Sequence, residues 1–131
     1  MTQLRISEAA ELLGVSDDTV RRMVDAGRLP AARDTSGRLT VRGADLAALA
    51  QEIASPPPPG PVADESARNR MRGIVTRVLK DTVMAQVELQ AGPFRIVSLM
   101  SAEAVDELGL EVGSVAVASI KSTHVIVGVP A

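Results

Sequence analysis

Two periodicities divide this chain: through residue 53 the apolar positions recur at helical spacing, and after residue 66 they alternate. Ser7 is placed to cap a first helix through Leu13, with Ala9, Ala10, Leu12 and Leu13 on its apolar face and Gly14 at its end. Ser16 caps a second helix in which Val20, Met23 and Val24 recur at i, i+3 and i+4, and Gly27 closes it. Together they predict a helix-turn-helix turning at Gly14-Val15. The second helix then exposes Asp17, Thr19, Arg21 and Arg22. Ala32-Arg33 and Arg38-Leu39-Thr40-Val41 flank Asp34-Thr35-Ser36-Gly37, which predicts a small β-hairpin, or wing. Leu46, Leu49, Ala50 and Ile53 share one side of residues 43–53 and predict a closing helix.

The alternating half begins beyond Ser55-Pro56-Pro57-Pro58-Pro59-Gly60-Pro61, which lacks most ladder donors and favours polyproline II. Such a spacer, running from Ser55 to Glu65, extends roughly 30 Å at about 3.1 Å per residue. Val83, Ala85, Val87 and Leu89 then lie on one strand face, with Met84, Gln86, Glu88 and Gln90 on the other. Gly73–Leu79, Phe94–Met100, Ser114–Ile120 and His124–Val129 predict four further strands. Lys80-Asp81 and Ala91-Gly92 suit hairpin turns, and Ser101 to Leu108 predicts a capped helix stopped by Gly109. The expectation is an α+β chain of two domains: a winged helix-turn-helix over residues 1–54, a linker over 55–65, and a five-stranded OB-like β-barrel over 66–131.

Composition narrows the chemistry. With 131 residues, one Phe and no Trp or Tyr, two small aliphatic cores are expected, each of modest stability, so association between copies is favoured. The absence of Cys excludes disulfides, thiolate metal sites and Cys nucleophiles, and a single His excludes His-rich metal sites. No Gly-rich phosphate loop, metal triad or nucleophile with a His base can be assembled, so no enzyme is expected. A single-stranded nucleic acid site in the barrel is disfavoured, because Phe94 is its only aromatic ring for stacking. No secretion signal or apolar run of spanning length is present, which predicts a cytoplasmic protein with no membrane partner. The net charge of −2, and seven Arg against seven acidic residues in 1–50, place any DNA attraction in a local cluster.

Two stretches pair hydroxyls with positive charge: Ser66-Ala67-Arg68-Asn69-Arg70-Met71-Arg72-Gly73 and Lys121-Ser122-Thr123. A small tetrahedral oxyanion needs such donors around its oxygens and no covalent ligand.

Glu8 to Ser16, Thr19-Val20-Arg21-Arg22-Met23, Gly27 to Ala31 and Gly37-Arg38 resemble the winged helix-turn-helix of the MerR and excisionase-like families. The resemblance implies that the second helix enters the major groove of double-stranded DNA and that the wing touches phosphates, giving Thr19, Arg21, Arg22 and Arg38 a DNA-contact role. Ser66-Ala67-Arg68-Asn69, Arg72-Gly73, Ser101-Ala102-Glu103, Glu107 to Leu110, Val112-Gly113 and Lys121-Ser122-Thr123 resemble the Mop or TOBE domain of molbindins and molybdate-responsive regulators. That resemblance implies a molybdate or tungstate ligand at subunit interfaces, with Ser66, Arg68, Lys121 and Ser122 at ligand positions and Ser101 where the family has Thr or Ser. It also implies a homo-oligomer, a dimer at minimum, with hexamers formed by single-Mop relatives. Combined, the two modules predict a molybdate- or tungstate-responsive transcription regulator. The alternative is an intracellular molybdate storage protein with an accessory helix-turn-helix, and a third reading is an architectural DNA binder with an anion-blind barrel.

Overall fold

The computed structural model describes residues 2–55, 58, 60 and 66–131. The expected spacer falls largely outside them. The chain divides between residues 55 and 56 into two compact units.

In the first unit the order is β1 (Gln3–Arg5), α1 (Ile6–Leu13), α2 (Asp17–Asp25), β2 (Ala31–Arg33), β3 (Leu39–Arg42) and α3 (Gly43–Ile53). The helix-turn-helix is present. Gly14 adopts a left-handed φ of 71°, and Val15 N–H reaches the Ala10 carbonyl at 3.0 Å, a Schellman close that turns the chain sharply into α2. Ser16 caps α2, its Oγ accepting from Thr19 N–H at 3.1 Å. The start of α1 differs from the expectation: the helix begins at Ile6, and the Glu8 carboxylate accepts from Arg5 N–H at 3.2 Å, so Ser7 lies inside the first turn instead of capping it. Strand β1 was also absent from the sequence reading, being too short to show alternation. It completes an antiparallel sheet in the order β1-β3-β2, with Leu4 opposite Val41 and Ala31 opposite Val41 on the other side. Ile6, Ala9, Ala10, Val20, Leu29, Val41, Leu46 and Leu49 make one buried core. The helical spacing of Leu46 and Leu49 places α3 against it.

The wing turn is built by Asp34. Its Oδ1 accepts from Ser36 N–H at 2.8 Å and Arg38 N–H at 2.9 Å, while its own N–H donates to the Arg38 carbonyl at 2.8 Å.

The second unit contains β4 (Asn69–Lys80), β5 (Met84–Ala91), β6 (Phe94–Ser101), α4 (Ala102–Leu108) and β7 (Val115–Ile120), followed by a 3₁₀ turn over Ser122–His124. The sheet is antiparallel in the order β6-β5-β4-β7. This corrects the expected five-stranded barrel, because among the described residues four strands form an open half-barrel whose edges β6 and β7 do not pair. An apolar groove of about 500 Å³, lined in part by Val87, Leu89, Ile96, Met100, Ala116 and Ala118, occupies the open side. The expected strand His124–Val129 does not form. His124 ends the 3₁₀ turn, and the following residues have no ladder, with Ile126 95% and Val129 91% exposed. Its β-branched composition suits a strand, but a strand also needs an edge to pair with.

The small core of this half comprises Val75, Ala85, Val87, Leu89 and Val105. Gly73 lets β4 press against β5, since a Cβ there would lie 2.5 Å from the Gln90 carbonyl oxygen. Glu88, placed by alternation on the face opposite Ala85, Val87 and Leu89, is buried. It pairs with Arg95 from β6 and accepts from Gln86 Nε2 at 3.2 Å. Chiefly through the hydrogen bond from Arg95, its carboxyl is held below the usual carboxylate range, against burial, which raises it; the Arg95 charge, Gln86 and the Arg77 charge lower it further.

Candidate functional site

The two groups of oxyanion candidates are brought together by strand pairing. Strands β4 and β7 run antiparallel with Asn69 opposite Ile120, so the next residues outward are Arg68 on one strand and Lys121 on the other. Asn69 Nδ2 donates to the Ile120 carbonyl at 3.2 Å and ties this sheet end together. The sequence reading assigns Asn69 no separate role, although its place beside Arg68 at the head of β4 is the signal that marks it. Ser66 precedes Arg68 in the lead into β4, anchored by the buried Ala67 between them. Ser122 opens the 3₁₀ turn, in which His124 N–H donates to the Lys121 carbonyl at 2.9 Å.

Ser66, Arg68, Lys121 and Ser122 are all exposed. Neither Arg68 nor Lys121 has an ion-pair partner among the described residues. Two cations and two hydroxyls therefore share one sheet end with their donor capacity unspent, a composition suited to an anion of high charge density.

Ser101 is not part of that cluster. It ends β6 opposite Met84, at the other edge of the sheet and at the opposite end of the strands. Its Oγ accepts from Ala104 N–H at 3.0 Å, capping α4, and Ala102 N–H is already bound to the Val83 carbonyl at 2.8 Å. Within one chain it serves as a helix cap.

The DNA-contact candidates divide as well. Thr19 is half-buried and its Oγ1 lies 2.9 Å from Ser16 Oγ, so it takes part in the cap of α2. Arg21 is exposed and approaches Asp18 at 3.7 Å, and Arg22 Nε donates to the Asp18 carbonyl at 3.4 Å. Arg21 and Arg38 come together at one groove of about 520 Å³ between α2, the start of α1 and the wing. Arg5 and Arg33 line the same groove and were missed, because β1 was invisible to the periodicity and Arg33 looked like a plain wing-strand residue.

Among the described residues no helix is long and apolar enough to cross a membrane, and no cluster of three or more His, Cys, Asp or Glu could hold a metal ion.

The helix-turn-helix domain family matches residues 4–53, and the TOBE domain family matches residues 65–127. Both are binding or regulatory modules without catalytic activity. Molybdenum-pterin-binding protein 1 of Clostridium pasteurianum is 41% identical over 63 residues, which are 47% of this chain and 93% of that protein. A probable molybdenum-pterin-binding protein of Haemophilus influenzae is 45% identical over 65 residues, covering 49% of this chain and 94% of the relative. The solved structure of MopII from Clostridium pasteurianum is similar to 50% of this chain over 100% of its own length, at 37% identity and a TM-score of 0.47. The chain belongs to the Mop/TOBE family of molybdenum-pterin-binding proteins, with a helix-turn-helix domain fused ahead of its TOBE domain.

Proposed function

We propose that this protein is a molybdate-binding protein of the storage and homeostasis type, taking molybdate or the similar tungstate dianion at sites completed between copies of the chain. The observation that carries the reading is the β4–β7 register, which sets Arg68 beside Lys121 with Ser66 and Ser122 close in sequence. Relatives named for molybdenum-pterin binding, matched over nearly their whole length, support the ligand class. Ser101 joins such a site only from a second copy, since its own chain holds it at the far corner of the sheet.

The open half-barrel supports the association. A groove lined by aliphatic side chains and a C-terminal tail carrying Val125, Ile126, Val127 and Val129 exposed are complementary in character, and the tail of one copy can add a strand to another. Ligand bound between copies then stabilises the assembly by mass action. A cytoplasmic location fits a protein of this role.

A second reading, a molybdate-responsive regulator of transcription, is favoured by the arginine-lined groove beside α2 in a helix-turn-helix domain. Isothermal titration of the full chain with molybdate, with sulfate as the control and the solution mass measured before and after, tests the main reading. Selective heat with a stoichiometry fitting interface sites of a defined oligomer is expected. The absence of molybdate binding refutes it. An operator whose occupancy changes with molybdate would favour the regulator instead.

A further inference from the structure

The arginines of the N-terminal unit are distributed unevenly. Residues 1–50 hold seven Arg and seven acidic residues, and Glu52 leaves the unit with a net charge of −1. Yet the groove between α2, the start of α1 and the wing is lined by Arg5, Arg21, Arg33 and Arg38 against the single carboxylate of Asp17. The folding of three strands produces this concentration. Arg5 lies opposite Thr40 across β1–β3, Arg33 lies opposite Leu39 across β2–β3, and Arg38 immediately precedes β3. Arg5 of β1, Arg33 of β2 and Arg38 at the entry to β3 thus converge at one end of the sheet, where α2 contributes Arg21.

Their partners within the chain are few. Arg33 Nη1 donates to the Gly37 carbonyl at 2.8 Å, which aims it along the wing, and Arg21 meets Asp18 at the long distance of 3.7 Å. The side chains of Arg5 and Arg38 have no ion-pair partner among the described residues. By contrast the outward side of α2, away from the groove, carries its own acids, Asp18 and Asp25, alongside Arg22.

We propose that this groove is a clamp for one phosphodiester strand of duplex DNA, with Arg5 and Arg33 as phosphate contacts in addition to Arg21 and Arg38. The proposal rests on the DNA-binding reading of the helix-turn-helix. Guanidinium groups present planar forks that match phosphate oxygens, and a row of arginines with so few partners in their own chain supplies position and affinity without reading bases. The consequence is a division of labour: the clamp sets most of the salt dependence, and Arg22 on the outward side of α2 sets sequence preference.

The test is fluorescence anisotropy of the full-length protein with two labelled random-sequence duplexes of different base composition, across a salt series starting at low ionic strength. Arg5→Ala is expected to weaken binding to both duplexes by the same factor, about threefold or more, and to reduce the slope of log K against log salt by about 1. Arg33→Ala is expected to do the same, and Arg5→Lys to retain the slope. Thermal unfolding of each variant checks the fold, and the Lys variant keeps the test informative where an Ala variant melts early. Unchanged affinity and slope in the Arg5 and Arg33 variants, with binding lost in Arg22→Ala, overturns the clamp and leaves the DNA-binding reading standing. No binding of either duplex by the unaltered protein, even at low salt, overturns both.

Discussion

Replacing Gly73 by Ala tests the packing that places the anion-site candidates. A Cβ at this position lies 2.5 Å from the Gln90 carbonyl oxygen, 2.9 Å from its carbon and 3.1 Å from Ala91 Cα. All three obstacles are backbone, so no rotamer change relieves them. Restoring an ordinary contact needs a separation of close to 1 Å between β4 and β5, and β4 cannot simply retreat, because Gly73 is also paired with Ala116 of β7. Overpacking of this kind costs about 1–3 kcal/mol, and the smaller entropy of the unfolded chain with Ala returns about 0.4–1 kcal/mol. The net expectation is a loss of about 1–2 kcal/mol. With a urea m-value of about 2 kcal/mol/M, the midpoint of the second unit falls by roughly 0.5–1 M, measured by circular dichroism at one fixed protein concentration. The same strain reaches Asn69 and Ile120 along the β4–β7 ladder, so molybdate affinity should fall as well. A midpoint equal to or above that of the unaltered protein refutes the argument, since it would mean that β4 and β5 separate at no cost.

Arg68→Ala and Lys121→Ala should each weaken molybdate binding about tenfold to a hundredfold, the equivalent of one hydrogen bond to a charged group at about 1.5–3 kcal/mol, and isothermal titration reads this directly. For Glu88 the folded pKa is lowered, mainly by Arg95, so its contribution to stability is present above the unfolded-state value and is lost as pH falls through the folded one. Arg95→Ala should therefore flatten the acid limb of the stability profile, measured as urea midpoints across acidic pH, whereas an unchanged limb removes Glu88 as its source. Asp34→Ala deletes the acceptor of two wing hydrogen bonds and should cost about 1–2 kcal/mol locally, seen as faster hydrogen exchange at Ser36 and Arg38.

Local chemistry carried much of the fold into view, and its failures have identifiable causes. Gly14, Ser16 and Gly27 punctuate the helices by rules that act within a few residues, and Val20, Leu46 and Leu49 declare their buried faces by helical spacing. Strand β1 escaped because three residues cannot display a period; its existence depends on β3, far along the chain. Alternation assigned Glu88 its face but does not say which neighbours cover it, and here Arg95 pairs with it. The anion candidates were legible as residue types, yet their grouping depends on antiparallel pairing between strands about fifty residues apart, and Ser101 is excluded from that grouping by the same topology. The fifth strand is the most instructive miss. Val125, Ile126, Val127 and Val129 have the composition of a strand, but composition alone does not make one. Ladder hydrogen bonds are satisfied in pairs, so a segment of strand composition needs an unpaired edge within reach of its own tether, and the 3₁₀ turn at Ser122–His124 intervenes just where β7 ends. Leaving so many aliphatic side chains in water forfeits burial worth about 25 cal/mol per Å². Under the proposed association a second copy of the half-barrel would supply both missing parts at once, an edge for the backbone and a groove for the side chains, so the proposal and the failed strand assignment share one physical argument.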